Sequence, residues 1–377
     1  MSLEPLGLGE PIDSRLPFVR KIHALDEARA MRDGAARAER LRLQGALVGE
    51  ALRSGPKVRA VRTLPITTLA YPTAYALQGA MKLAPPFVIL THRALLVQLE
   101  VEGGIKNLLF NPSDPIAARA TPFFARLIAR LGERLAEKLQ RRFPPIEAQL
   151  RDLGLSPESI DLIAFDHFHT QDLRPLLGSS EPRPDGRAIH PRFPNALLLA
   201  PRAEWEDWDD LHPFEAAWFI RDGKRGVDES KVILTDHDLS LGPGAILLKT
   251  PGHTSGNQTL FVNTERGVFG CSENGTSADS WSPYESRIPG LRRHLRDHDV
   301  EVILNSNTPV FGREQMSSML LERSVVDRVP DQPAFVQMFP SSELTPSPLA
   351  PGIRPSVIFG EIRSGEITPD GATPSGP

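Results

Sequence analysis

The sequence predicts an α/β protein, and two observations carry this prediction. Short aliphatic and β-branched runs, separated by turn signals, alternate with segments whose apolar residues recur at helical spacing. In addition, the paired histidines of "FDHFHTQDLRP", residues 165–175, directly follow the buried run "IDLIAF". Open α/β proteins bind ligands at the carboxyl ends of their strands. The 377 residues suffice for one large domain or two smaller ones.

Three helices are predicted: residues 26–52, residues 123–143 and the segment that ends at Gly154. The long central one has apolar residues at helical spacing on one side, which indicates an amphipathic helix. The predicted strands are "KVRAVRTLPITTL", "FVILTH", "ALLVQLEV", "NLLF", "IDLIAF", "NALLLAP", "KVILT", "GAILLKTP", "QTLFVNT", "GVFGCS" and "EVILNS".

Composition excludes several classes of protein. A net charge of -4 with mixed signs disfavours a nucleic-acid partner, which attracts a basic stripe. The single cysteine, Cys271, cannot form an intramolecular disulfide, as is typical of a reducing compartment. No signal-like apolar stretch begins the chain, and residues 84–101, the most apolar region, are interrupted by prolines and charges. We therefore expect a cytoplasmic protein without a membrane partner.

Four stretches place polar side chains at predicted strand ends. His167 and His169 lie two residues apart, so they point to one side of an extended segment. The turn in "TPGHTSGNQTLFV" presents His253, and "GVFGCSENG" ends its strand at Glu273. The last stretch, "EVILNSNTPVFG", carries Asn305 and Asn307. An isolated His-x-His pair is as often an ordinary pair of histidines as a metal site, but four such strand ends together indicate a metal or ligand site.

With these four stretches the chain resembles the metallo-β-lactamase superfamily. Members show H-x-H-x-D-H after a strand, then a T-P-G-H-T turn, a strand that ends in an acidic bridging ligand, and a strand that ends in P-G-H-G. The framing segments "IEAQLRDLGLSPESIDLIAFDHFH", "RFPNALLLAPRAEWEDW" and "LSLGPGAILLKTPGHTSGNQTLFV" match as well. The resemblance covers about residues 88–319. It implies a four-layer αβ/βα sandwich with a metal cleft between two β-sheets.

The resemblance also implies how the chain is divided. Residues 1–55 are expected to form an N-terminal helical extension, and residues 56–328 the metallo-β-lactamase-like domain with an insertion at about 202–231. Residues 329–377 are a Pro- and Ser-rich C-terminal segment, and its end, "GEITPDGATPSGP", has the composition of a disordered tail.

The resemblance assigns the first metal to His167, His169 and His253, which match the three histidines of the family. Three imidazoles with an open fourth position are typical of a hydrolytic zinc centre. Zinc is therefore the expected cofactor at this site.

The second half of the family's site is rewritten in this chain. Gln171 stands where the family has Asp, Asp172 where it has His, and Asn307 where it has the last His, while Glu273 replaces the bridging Asp. Asp172 and Glu273 are predicted as metal ligands, and further candidates are Gln171, Asn305, Asn307 and Cys271. Cys271 is also typical of a small buried residue. Oxygen donors favour harder ions, so a second metal (Zn, Mn or Fe) and an empty second site both stay open.

The predicted function is that of a metal-dependent hydrolase. A metal-activated water would attack an ester, lactone, amide or related small molecule, and Asp172 or Glu273 would orient it. Residues Trp281, Tyr284 and Arg174 are candidates for the substrate pocket. Two alternatives stay open: a diiron-type oxygen-activating oxidoreductase and a non-catalytic metal- or ligand-binding relative. The substrate and the oligomeric state are not predicted by the sequence.

Overall fold

The structure is a computed structural model that describes residues 6–183 and 185–372. Its strands in chain order are β1 (Leu8–Pro11), β2 (Arg20–Ile22), β3 (Ala60–Pro72), β4 (Phe87–Val101), β5 (Gly104–Phe110), β6 (Ile160–Ala164), β7 (Leu197–Pro201), β8 (Val232–Thr235), β9 (Asp238–Gly242), β10 (Ala245–Lys249), β11 (Gln258–Thr264), β12 (Gly267–Ser272), β13 (Arg328–Val329), β14 (Gln332–Val336), β15 (Met338–Pro340), β16 (Ser342–Thr345) and β17 (Arg363–Gly365). The helices are α1 (Asp26–Arg29), α2 (Gly34–Ser54), α3 (Thr73–Ala76), α4 (Pro122–Leu131), α5 (Glu133–Leu139), α6 (Ile146–Asp152), α7 (Arg174–Leu177), α8 (Arg202–Asp207), α9 (Ala278–Trp281), α10 (Leu291–His298) and α11 (Gly312–Val325).

Two large sheets dominate the described part of the chain. The first has the strand order β1-β2-β9-β10-β11-β12-β15, and the second has the order β17-β3-β4-β5-β6-β7-β8 with β16 paired to β4. The pairs β5-β6, β6-β7, β7-β8 and β12-β15 are parallel, and the remaining pairs within the two sheets are antiparallel.

The two sheets pack face to face. Successive side chains of a strand point to opposite faces of its sheet, which explains why the strands of both sheets have nearly continuous apolar sequences. In β4, Leu95 and Val97 contribute to the core between the sheets, whereas Leu96 faces the outer core. In β10, Leu247 points inward and Leu248 points outward. Because both faces are covered, both sets of side chains are apolar.

Helices cover each outer face. α2 and α11 pack on the first sheet through Leu41, Val48 and Val325, and α6 packs on the second through Ile146 and Leu150. The layers are therefore helix, sheet, sheet and helix. The prediction of a four-layer αβ/βα sandwich is confirmed, with α2 of the N-terminal segment as part of its outer layer.

Several predicted elements differ from the structure. "FVILTH" and "ALLVQLEV" form one strand, β4, and residues 26–52 contain two helices, α1 and α2. The predicted helix over residues 123–143 is also two helices, because Gly132 has a φ of 78°, which only glycine adopts at low cost. "EVILNS" forms no strand; Ile303 and Asn305 donate their backbone N–H groups to Ser280 O and Asn274 O, both at 2.9 Å.

The C-terminal segment differs most from its prediction. β17 pairs with β3, Gln98 exchanges hydrogen bonds of 2.8 and 2.9 Å with the backbone of Thr368, and Asp370 accepts from Ser156 N at 2.7 Å. The expected disorder is therefore wrong for residues 365–372, because the fold supplies partners that composition does not reveal. Residues 373–377 lie outside the described part, and the domain boundaries stay predictions.

A search of the described helices finds none whose length and hydropathy match a membrane-spanning segment.

We expect Ile362→Ala to lower the free energy of unfolding by about 2–4 kcal/mol, because Ile362 is buried in the core between the sheets. Ile358→Ala makes the same chemical change at a side chain that is 48% exposed, and should change stability by less than about 1 kcal/mol. Urea denaturation of both variants measures the difference. Equal effects would show that the C-terminal segment does not contribute to the core.

Candidate metal centre

The three histidines predicted as ligands reach the site from both sheets. His167 and His169 follow β6, and His253 follows β10. The turn before His253 passes close to α11, where a Cβ at Gly252 would lie 2.2 Å from Gln315 Cα. Only glycine fits such an approach, so the Pro-Gly-His turn is required by packing as well as by chemistry.

The imidazoles converge on one point. One ring nitrogen from each of His167, His169 and His253 lies within 4.8 Å of the others. His169 Nδ1 and His253 Nε2 are 3.2 Å apart, close to the roughly 3.3 Å that separates two nitrogens bound to one tetrahedral zinc. Within the described chain, no Asp, Glu or Cys side chain joins this group at that distance.

Hydrogen bonds fix the orientation of two of the rings. His167 Nδ1 lies 2.7 Å from Asp166 Oδ1, and His253 Nδ1 lies 3.5 Å from Asn305 O. Each acceptor holds a proton on Nδ1 and leaves Nε2 free for a metal, which is the usual outer contact of metal-binding histidines. His169 faces the other ligands through Nδ1, which lies 3.2 Å from His253 Nε2, and its Nε2 is buried without a partner among the described residues.

The protonation of the rings suits a metal. Burial and the neighbouring His167 hold the pKa values of His169 and His253 well below the usual range, so both are neutral, as metal ligands must be. Burial also acts to lower the pKa of His167, but the charge and hydrogen bond of Asp166 raise it overall. Two neutral rings, the fixed tautomers of His167 and His253, and the short contact between His169 and His253 all fit a metal ion.

Asp166 was not predicted, although it directly precedes His167. Its second oxygen accepts from Asn111 Nδ2 at 3.0 Å and from Ser341 Oγ. Burial opposes its ionisation, but His167, the hydrogen bond of Ser341 and the charge of His92 lower its pKa overall. The signal in the sequence was an acidic residue next to a predicted metal ligand, since such histidines commonly pair with a carboxylate.

Glu273 lines the same cavity as the histidines. Its Oε2 accepts from Ser342 N at 2.8 Å and contacts Ser341 Oγ, whose single proton Glu273 shares with Asp166; its Oε1 lies 3.5 Å from Asn305 Nδ2. Burial, with Asp166 as a further cause, raises the pKa of Glu273 to about 7. The predicted acid is thus at the site, next to the histidine cluster.

Asp172 requires a correction. Its two oxygens accept from Arg174 Nε and Nη2, both at 2.8 Å, and it does not line the cavity. A bidentate guanidinium pair two residues away satisfies the carboxylate locally. The structure therefore places both Asp172 and Arg174, a predicted pocket residue, outside the site.

The remaining predicted ligands divide into two groups. Gln171, Asn305 and Asn307 line the cavity, whereas Cys271 is buried in the core between the sheets. Gln171 Nε2 donates to Ser113 Oγ at 2.7 Å, but Gln171 Oε1 and Asn307 Oδ1 have no donor among the described residues. The rewritten half of the site therefore presents neutral carbonyl oxygens to the cavity.

The two aromatic residues predicted for the pocket lie elsewhere. Trp281 is buried and donates from Nε1 to Glu322 Oε2 at 2.7 Å, and Tyr284 is 54% exposed on the surface. Trp218, from the insertion, lines the cavity instead. Tyr71 does so as well, and donates to Asn305 Oδ1 at 2.7 Å. The sequence carried no local signal that distinguished Trp218 from the other tryptophans.

Two further residues were missed. His92, interpreted from the sequence as structural, lines the cavity, where Ser113 and Ser342 contact its two nitrogens at 2.9 and 3.0 Å. Burial lowers the pKa of His92 to about 4.

Glu204, in a segment that resembles a surface helix, is buried and accepts from Phe168 N at 2.6 Å and Thr254 Oγ1 at 2.9 Å. It thereby links the two loops that carry the histidines.

Burial raises the pKa of Glu204 from 4.5 to about 7. A carboxyl with a raised folded-state pKa binds more protons when folded, so its stabilising contribution is complete below pH 4.5 and is lost as the pH rises to 7. For metal-free protein, the unfolding free energy of Glu204→Gln relative to wild type should rise by about 3 kcal/mol across this interval.

Urea denaturation at both ends of the interval measures this difference. The exposed Glu206 of the same helix provides the control, because Glu206→Gln should parallel wild type. A constant difference between Glu204→Gln and wild type would show that Glu204 does not carry this pH dependence.

Comparisons with known proteins find distantly similar solved structures. No protein-family model matches the chain, and no curated protein matches it. A probable metal-dependent hydrolase from Staphylococcus aureus is 14% identical over 70% of this chain and 83% of its own, with a TM-score of 0.48. A quorum-quenching N-acyl homoserine lactone lactonase is 16% identical (71% and 86%, TM-score 0.44), and the hydrolase AbOPH of the beta lactamase superfamily is 15% identical (84% and 99%, TM-score 0.44). At such values the activities of those proteins do not transfer to this chain.

Proposed function

We propose that this chain is a metal-dependent hydrolase of an ester, lactone, amide or related small molecule. The observation that supports the proposal is the convergence of His167, His169 and His253 in a cavity that also exposes the carboxylate of Glu273. A metal such as zinc, held by the three imidazoles, would polarise a carbonyl oxygen and lower the pKa of water.

The residues around the histidines have separate roles in this proposal. Asp166 keeps the proton of His167 on Nδ1, and Asn305 O does the same for His253, so that both Nε2 atoms face the ligand position. Glu273 is held by Ser341 and Ser342 N. With its pKa raised to about 7 by burial, Glu273 can accept and return a proton near neutral pH, as a general base must.

The rewritten half of the site supports a single firmly bound metal. Asp172 is paired with Arg174, which leaves Glu273 as the predicted second-site carboxylate that lines the cavity. Gln171 and Asn307 offer neutral oxygens, which are weaker ligands for a transition metal than carboxylates or imidazoles. Their free acceptors can instead orient a substrate N–H or O–H group.

No observation favours the two alternatives. Oxygen activation at two irons needs a carboxylate-rich second site, and the loss of Asp172 from the cavity removes half of the predicted one. A non-catalytic relative has no need for an ionisable Glu273 held by Ser341 and Ser342 beside the histidines.

We expect purified protein, prepared without chelator, to contain about one transition metal ion per chain. His253→Ala should abolish this content, because it removes one of the three converging imidazole ligands. Asp172→Asn should keep it, since Asp172 contacts Arg174 and not the cavity. Elemental analysis by mass spectrometry decides the point, and full metal content in His253→Ala would refute the site.

We expect Glu273→Gln to reduce turnover of a simple test ester, 4-nitrophenyl acetate, by at least about 100-fold, the usual contribution of a positioned general base. Metal content and the thermal midpoint should change little, because glutamine keeps the shape and one acceptor. Asp172→Asn is the matched control and should retain activity. Wild-type turnover in Glu273→Gln would remove Glu273 from the mechanism and leave the three histidines.

A further inference from the structure

The cavity beside the histidines has an apolar outer wall made by α4 and α5. The two helices follow one another at residues 122–139, and Phe124, Leu127, Ile128, Leu131 and Leu139 line the cavity. None of these side chains is fully buried. The wall therefore presents apolar surface that the protein itself does not cover.

The opposite faces of the same helices are charged. Arg126, Arg130, Arg134 and Lys138 are exposed to solvent. This division orients the pair, because the charged side stays in water while the apolar side faces the protein. The apolar faces of α4 and α5 thus bound the cavity on one side. Apolar side chains of the second sheet (Ile66, Leu69 and Leu90) form its other side.

Both ends of the wall are attached to the body of the protein. At the start, Phe123 N donates to Ala217 O at 2.9 Å, and the Phe123 ring stacks on Trp218 with centroids 4.3 Å apart. At the end, Arg141 N donates to Thr68 Oγ1 at 2.8 Å, and Phe143 N to Ile66 O at 3.0 Å. These attachments keep α4 and α5 over the cavity without filling it.

The whole cavity, including its histidine end, has a volume of about 140 Å³, similar to an apolar cavity that accepts a benzene ring. One end of this space is polar and carries the histidines, Glu273 and the free oxygens of Gln171 and Asn307. The other end is apolar on both sides. The space therefore matches an amphiphilic molecule with its reactive polar group at the histidines.

We propose that the substrate is an ester, lactone or amide that carries an apolar acyl or aryl group, and that α4 and α5 hold this group. The inference rests on the proposed function for the identity of the polar end. The wall contributes binding energy because the apolar group removes from water both its own surface and that of Leu127, Ile128 and Leu131. Substrates without such a group lose this contribution.

Binding of unreactive product-like acids tests the inference. Butanoate, hexanoate, octanoate and decanoate are titrated into metal-loaded protein by calorimetry. We expect each added pair of methylenes to tighten the affinity by about tenfold until the cavity is full. Affinities of butanoate and hexanoate that agree within about twofold would overturn the inference.

Variants on the two faces of the helix pair localise the effect. Leu131→Gln and Ile128→Asn should each weaken decanoate binding by about tenfold and leave butanoate binding unchanged, because they add polarity to the apolar wall. Leu135→Gln is the control: Leu135 is on α5, is 45% exposed and does not line the cavity. Since none of these side chains is buried, the variants should fold with thermal midpoints near that of wild type.

The dependence of affinity on chain length and the metal-dependent hydrolysis are separate readouts. If metal content and ester turnover are as proposed but affinity does not change with chain length, the apolar wall is not the binding site. The same conclusion follows if Leu135→Gln weakens decanoate binding as much as Leu131→Gln does. If affinity follows chain length but the metal-loaded protein hydrolyses no ester, the inference about the wall holds and the proposed function is wrong.

Discussion

Three histidines can meet at one point only if the two loops that carry them keep a fixed relative position, and a buried carboxylate enforces this. Phe168, between His167 and His169, donates its N–H to one oxygen of Glu204, and Thr254, directly after His253, donates to the other. Because the two oxygens are rigidly linked, neither loop can shift without losing a hydrogen bond. Leaving such a buried group unpaired costs about 1–3 kcal/mol, so one side chain couples the two sheets at the site.

A second buried carboxylate, further from the histidines, also holds several segments together through hydrogen bonds. Glu322 of α11 is buried and accepts hydrogen bonds from Thr259, Ser272, Asn274 and Trp281, and Asn274 Oδ1 in turn accepts from His253 N at 3.0 Å. Burial raises the pKa of Glu322 despite these donors. Several acids close to neutral histidines create a negative potential, and a bound cation lowers the cost of burying them. The carboxylates of Glu204 and Glu322 therefore favour a metal at the histidines, and they also fix the loops that carry these histidines.

Local sequence patterns predicted the strand ends and the Pro-Gly-His turn that carry the three histidines, and the resemblance to a known family predicted the four-layer sandwich and the grouping of these histidines. The prediction that Asp172 is a metal ligand was wrong because Arg174, two residues away, binds its carboxylate. An alignment with family motifs carries no information about such a local partner. His92 and Glu204 could not be predicted, because their places at the site depend on tertiary contacts over 20 to 250 positions of the chain. Asp166 could have been predicted from its position beside a ligand.

The apolar wall and the acidic residue of the cavity depend on one another. Burial is the largest cause of the raised pKa of Glu273, and the wall of α4 and α5 is the part of the cavity that an apolar group would close. A substrate group held against Leu127 and Leu131 would exclude water from the space beside Glu273, and charges interact more strongly when water is excluded. Recognition of the apolar group and activation of the carboxylate are then one event, so a substrate that lacks this group would lose rate as well as affinity.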